Sequence, residues 1–211
     1  MEYIYVSYKG YPTLVPVRDS KRERVYEQER VFLRQFGRPE WNLTEWRDVE
    51  RFAKQVVGSK RWVKIASLFG IYSHNATAPV SVERGRSNAA ARGGWARITI
   101  PPWAQNKVVV LHELAHTIDA RISAARRTCP GHQWPWALIF TSLCSTFLGA
   151  EAASELKKLF KAARIRYTAP PRLTEAQRLA RREAGRKLQA ASRARAILSA
   201  SDVPTLNQEA T

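Results

Sequence analysis

HELAHTIDARISAARRTCPGHQWPW, His112 to Trp136, is the stretch on which the reading of this 211-residue chain turns. His112 and His116 are four apart, so on a helix their rings leave the same face one turn apart and can share a metal ion, with Glu113 on the neighbouring flank. Zinc takes imidazole nitrogen readily, and a catalytic site needs three protein ligands with the fourth position left for water. The chain has four histidines, which leaves His74 and His132 as candidates for the third ligand. His132 is favoured because Pro130 and Gly131 can turn the chain after the motif helix, so that the next helix presents its first residues to the metal. Such an ion lowers the pKa of water toward roughly 7, and Glu113 is then the base that takes the proton. Asp119 follows His116 by three residues and shares its helix face, where it can orient a ligand, cap, or simply meet solvent. A chance pattern on an amphipathic helix is the competing explanation; the scarcity of histidine and the apolar flank of Val108, Leu111, Leu114 and Ala115 weigh against it.

Outward from this motif, ITIPPW (Ile98 to Trp103) reads as a strand ended by Pro101, leading into a motif helix over about 104–124. A second helix is expected from Trp134 or Pro135 to Gly149, and a third over about 151–164. Before the motif, apolar positions Val25, Tyr26, Val31, Phe32 and Phe36 predict an amphipathic helix over about 20–36. Asn42 and Glu45 suggest a capping box for a helix over about 43–57, stopped by Gly58. Between Trp62 and Ile100, GIYSH, PVSVE and WARITI predict a small antiparallel sheet, with RGRSNAAARGG (84–94) as a loop whose arginines are solvated.

The fold class expected is α+β. Hydrophobic residues make up 45% of the chain, enough to bury a core without disulfides. Cys129 and Cys144 are too few for a disulfide framework or a cysteine zinc ribbon, which points to a reducing cytoplasm. MEYIYVSYKG lacks the order of a signal peptide, and Trp134 to Leu148 is too short and too interrupted to span a bilayer.

Net charge is +17, and it is concentrated late: Lys157 to Arg195 holds thirteen Lys or Arg against Glu175 and Glu183. Consecutive prolines at 170 and 171 mark a hinge, giving a metallohydrolase domain over 1–168 and a basic helical tail over 169–211 with a disordered end. A basic, alanine-rich helix can follow DNA or RNA through phosphate contacts. Arg178, Arg181, Arg182, Arg186 and Lys187 are the candidate contacts, although a charge run is more often a solvated face.

The segment from His112 to Trp136 resembles the SprT-like zinc metallopeptidases, in which HExxH is followed after a short loop by a third His opening the next helix. It is similar, more narrowly, to a group of metallohydrolases of actinobacteria and their phages over about 18–167, including ITIPPW and LGAEAASELKKLF. The resemblance implies a compact zincin-like core, His112, His116 and His132 as zinc ligands, Glu113 as the catalytic glutamate, and a polypeptide substrate. It also implies an edge strand, expected at Ala96 to Ile100, that holds an extended peptide. The family's third His is commonly followed by Gly-Pro-Glu-Phe; here Gln133, Trp134, Pro135 and Trp136 follow, so the family's Glu has no counterpart. A zinc peptidase is thus the expected function. The alternative is a non-catalytic nucleic-acid-binding or assembly protein with a structural or vestigial zinc site.

Overall fold

A computed structural model describes residues 3–8, 11–16, 21–69, 71, 76–126 and 131–169, with Thr174, Glu175, Leu179, Glu183, Arg186 and Gln189 beyond them. It divides into two units, Met1–Ala169 and Pro170–Thr211. The described part of the first unit is mixed α+β and mostly helical. Its chain begins with β1 (Tyr3–Tyr8) and β2 (Tyr11–Pro16), paired antiparallel, which the sequence reading passed over. Six helices follow among the described residues: α1 (Arg22–Phe36), α2 (Trp46–Val57), α3 (Lys60–Leu68), α4 (Lys107–Arg126), α5 (Trp134–Phe147) and α6 (Ala150–Ala162).

The local chemistry sets the boundaries. In α1, Val25, Glu29 and Phe32 recur at helical spacing as its buried face. The capping box expected at Asn42 lies three residues later, where Glu45 caps α2 and its N–H donates to Asp48 at 3.3 Å. Asn42 is instead used to end a 3-10 turn over Pro39–Trp41 and to bridge to Asn106. Ser59 caps α3 by accepting from the Trp62 N–H, so the stretch from Trp62, read as the start of the sheet, is helical and buries Trp62, Ile65 and Ala66. The motif helix starts at Lys107 rather than near Ala104 because Pro102–Ala104 forms a 3-10 turn and Asn106 caps α4, its Oδ1 accepting from Val108 N–H at 2.8 Å.

The second sheet is three-stranded, with β5 (Arg97–Ile100) between β3 (Ser81–Arg84) and β4 (Arg92–Gly93). It is mixed, not antiparallel: β4 pairs antiparallel with β5, but β3 is parallel to it. The chain reverses twice, in the loop after β3 and again at Gly94, whose N–H donates to Arg97, and two reversals restore the direction of β3. Most of RGRSNAAARGG is loop as expected, and its Arg92–Gly93 is the strand β4.

Ile98 and Ile100 turn one sheet face inward against α4, which also packs against α2 and α5. Val108, Val110, Leu111, Leu114, Ala115, Ile118 and Ile122 of α4 are all buried, as are His112, Glu113, Thr117, Asp119 and Arg121. A helix enclosed on all sides forms the centre of a domain, and each large apolar side chain so buried contributes about 1.5–3 kcal/mol. Among the described residues no helix is long and apolar enough to cross a membrane. The disordered end expected after residue 200 lies outside the described residues, as do His74 and Cys129.

Candidate metal centre

Helix α4 supplies His112 and His116, and the turn leading into α5 supplies His132, two residues ahead of that helix. Their imidazole nitrogens converge: His112 Nε2 lies 3.1 Å from His116 Nε2 and 3.2 Å from His132 Nε2. All three candidate ligand atoms fall within 4.8 Å of one another, with His112 and His132 buried and His116 partly so. Nitrogens bound tetrahedrally to zinc at about 2.0–2.1 Å stand about 3.3 Å apart. The observed separations match that value.

Electrostatics favours the same use. Burial lowers the pKa of His112, and burial together with the other two histidines holds His116 well below its ordinary 6.5. Both imidazoles are therefore neutral near pH 7, the form in which histidine binds a metal. The three rings pack around the Trp136 indole, with centroids 4.7, 5.3 and 4.6 Å away for His112, His116 and His132. The Trp136 Nε1–H is buried without an acceptor among the described residues, a donor left over beside the cluster.

Helix α1 adds residues that the sequence reading missed. Glu29 is buried, and its Oε1 lies 2.5 Å from His112 Nδ1. That contact turns Nε2 toward the cluster; when Glu29 is ionised, Nδ1–H donates to the carboxylate and Nε2 keeps its lone pair. Burial raises the Glu29 pKa to about 8, against the opposing pull of His132. One turn earlier, the Tyr26 ring stacks on His112 at 5.4 Å and meets His132 edge-on at 5.3 Å. Arg22, over the Tyr26 ring at 5.5 Å, also bonds the phenol. The signal was present in the sequence, since Arg22, Tyr26 and Glu29 share one face of α1 with Val25 and Phe32 and an acid stood where the pattern called for an apolar residue.

Glu113 is buried on the flank of the cluster, and burial raises its pKa to about 7, with Glu29 adding to the rise and His112 opposing it. The Gly93 N–H donates to it from β4. Gly93 is forced to be glycine by that approach: a Cβ there would sit 2.1 Å from the Glu113 carbonyl oxygen and 2.8 Å from His116 Cβ. The strand beside the site is therefore β4. Ala96 to Ile100, expected as the edge, is the central strand, because β4 folds back on it and covers that side.

Asp119 is buried, and its Oδ2 accepts from the Gly131 N–H at 2.9 Å, which pins the loop immediately before His132. Cys144 is buried and its thiol is pushed well above the ordinary range by burial, which leaves it inert packing. Of the tail residues expected to meet phosphate, Arg186 is exposed, and Arg178, Arg181, Arg182 and Lys187 lie outside the described residues.

The class that the fold and site define is an α+β domain with three histidines close enough to bind a metal ion, flanked by a glutamate. In comparisons with known proteins the chain matches no protein-family model, no curated protein and no solved structure.

Proposed function

We propose that the chain is a zinc-dependent hydrolase of peptide bonds with a zincin-like core, His112, His116 and His132 holding the ion and Glu113 acting as general base and acid. The observation that carries this reading is the convergence of three imidazoles, His112 Nε2 at 3.1 and 3.2 Å from the other two, beside a buried glutamate next to His112 on the same helix. A zinc ion held there supplies positive charge that polarises a carbonyl oxygen and lowers the pKa of water toward about 7.

The chain's own groups do the rest. In the metal-free protein burial raises the Glu113 pKa to about 7, and an ion beside it would favour the carboxylate, which can take a proton from water and return it to the leaving amine. The Gly93 N–H keeps its carboxylate in place. A peptide laid beside β4, the strand next to Glu113, would bring an amide to the cluster. Tyr26, beside His112 and His132, brings a phenolic donor suited to the oxygen of the carbonyl under attack.

The test is zinc content together with a proteome-derived peptide library cleaved by the parent and by Glu113→Gln. Stoichiometric zinc with cleavage lost in the variant is the expected result. Zinc without any cleavage would favour the non-catalytic reading, and undiminished cleavage by Glu113→Gln would remove the glutamate from the mechanism.

A further inference from the structure

The outer face of the second sheet carries a feature that the hydrolytic chemistry does not use. Register places Glu83, Thr99 and Arg92 side by side across the three strands, with Arg97 two residues from Thr99, on the face opposite buried Ile98 and Ile100. This face and the loop after β3 enclose an open cleft of about 770 Å³. Four arginines line it, Arg84, Arg86, Arg92 and Arg97, against one acid, Glu83. Glu83 is engaged by Arg97 at 3.5 Å, and Arg84, Arg86 and Arg92 have no acidic partner among the described residues. Several arginines elsewhere do: Arg30 meets Glu27, Arg51 meets Asp48, and Arg38 meets Glu151. The cleft therefore concentrates positive charge that no acid among the described residues neutralises.

Aromatic surface lies in the same place. Trp95 lines the cleft and is 46% exposed. It is held from behind by buried Arg121, whose guanidinium lies 5.2 Å from the ring and whose Nε–H donates to the Trp95 carbonyl at 3.0 Å. Trp103, 63% exposed, donates its Nε1–H to Ala89 of the cleft-lining loop at 3.0 Å. Exposed indoles fixed beside unpaired guanidinium groups match a single-stranded nucleic acid, whose bases stack on aromatic rings while arginines meet its phosphates. A duplex hides its base faces, and an acidic peptide has nothing flat to stack, so the tryptophans favour the single strand.

We propose that this cleft binds single-stranded nucleic acid, with Arg84, Arg86 and Arg92 on the phosphodiester backbone and Trp95 stacked on a base. The cleft is built from residues of the first unit alone, and the proposal does not depend on the peptidase reading. The experiment uses the full-length chain and a short fluorescein-labelled oligothymidylate, with anisotropy read against salt, in the presence and absence of a chelator. The tail is common to every variant, so differences report the cleft. Neutralising Arg84, Arg86 and Arg92 to Gln is expected to lower the slope of log affinity on log salt by about 2, at about 0.7 for each phosphate of a single strand. Trp95→Ala is expected to weaken binding about 5- to 100-fold without changing that slope, and Trp95→Phe to restore most of the loss. Far-UV circular dichroism and melting of each variant establish that it is folded. If both the triple variant and Trp95→Ala bind as the parent does, the cleft is not the site. Equal competition by polyglutamate or by duplex of the same length would reduce it to a general anionic surface and overturn the proposal.

Discussion

At the scale of single residues, the Glu29 contact on His112 carries the most testable consequence. A ligand imidazole bonded through its other nitrogen is oriented and made more basic, and removing such a partner usually costs about 10- to 100-fold in metal affinity. Glu29→Ala is therefore expected to weaken zinc binding by that factor, and Glu29→Gln, whose amide oxygen still accepts from Nδ1–H, to weaken it less. Competition with a chromophoric chelator measures both; equal affinity in Glu29→Ala and parent would mean that the contact is mere packing. Tyr26→Phe removes only the phenolic oxygen and keeps the ring on His112. If that oxygen stabilises the reacting carbonyl, kcat falls about 100- to 1,000-fold with little change in KM. A rise in KM alone would assign Tyr26 to substrate binding. The histidines were legible because spacing on one helix is a local property. Glu29, Tyr26 and Arg22 were not read as site residues because they lie about 80 residues earlier, and only the packing of α1 brings them to the cluster.

Among the elements, β4 has the least room to vary. Gly93→Ala places a methyl group where the Glu113 carbonyl oxygen and His116 Cβ already are, against the backbone of α4. Neither partner is the free end of a flexible side chain, so β4 must lift from the helix and the Gly93 N–H must leave Glu113. A loss of about 1–3 kcal/mol is expected, the usual cost of overpacking, and at 150–250 residues that is about 2–12 °C in Tm. Zinc content should survive, because all three ligands come from α4 and the turn into α5 and β4 is the element that lifts, while any cleavage should drop. An unchanged melting temperature would show that the strand gives way freely. The helices were largely legible, α1, α5 and α6 within about two residues, because amphipathic periodicity and Gly or Pro stops are local signals. The sheet was less so. Its parallel β3 follows from two chain reversals in a loop of small and polar residues, which no periodicity reports, and a two-residue strand such as β4 has no pattern of its own. The hairpin β1–β2 did carry a signal, since YIYVSY and YPTLVP are rich in β-branched and aromatic residues on either side of Lys9 and Gly10.

For the whole molecule, the candidate metal centre draws on α4, the turn leading into α5 and, through Glu29, α1, so an ion held there would couple to the stability of all three elements. Binding to the folded state alone stabilises by about 2.7 kcal/mol when free zinc is a hundredfold above its dissociation constant, or roughly 5–10 °C in Tm at this chain length. The size of that gain depends on pH in a direction set by the site. In the metal-free protein burial lifts Glu29 from 4.5 to about 8, so the folded chain keeps a proton that the unfolded chain has lost. The stability this contributes is complete below pH 4.5 and is lost as pH rises through about 8. His112 and His116 are shifted downward, so their contribution is complete above about 6.5 and is lost as pH falls below it. Zinc requires both histidines neutral and favours an ionised Glu29 to accept the His112 Nδ1 proton, so loading releases a proton near neutrality and competes with protons in acid. Both effects act in one sense: the melting-temperature gap between zinc-loaded and chelator-treated protein widens from about pH 5.5 to about pH 8. Differential scanning fluorimetry across that range, repeated with Glu29→Gln, separates the two sources, because the variant keeps the acid limb and loses the part above pH 7. No gap at any pH would show that the histidines bind no metal in solution, and a gap that stays constant from pH 5.5 to 8 would show that Glu29 is ionised before the metal arrives.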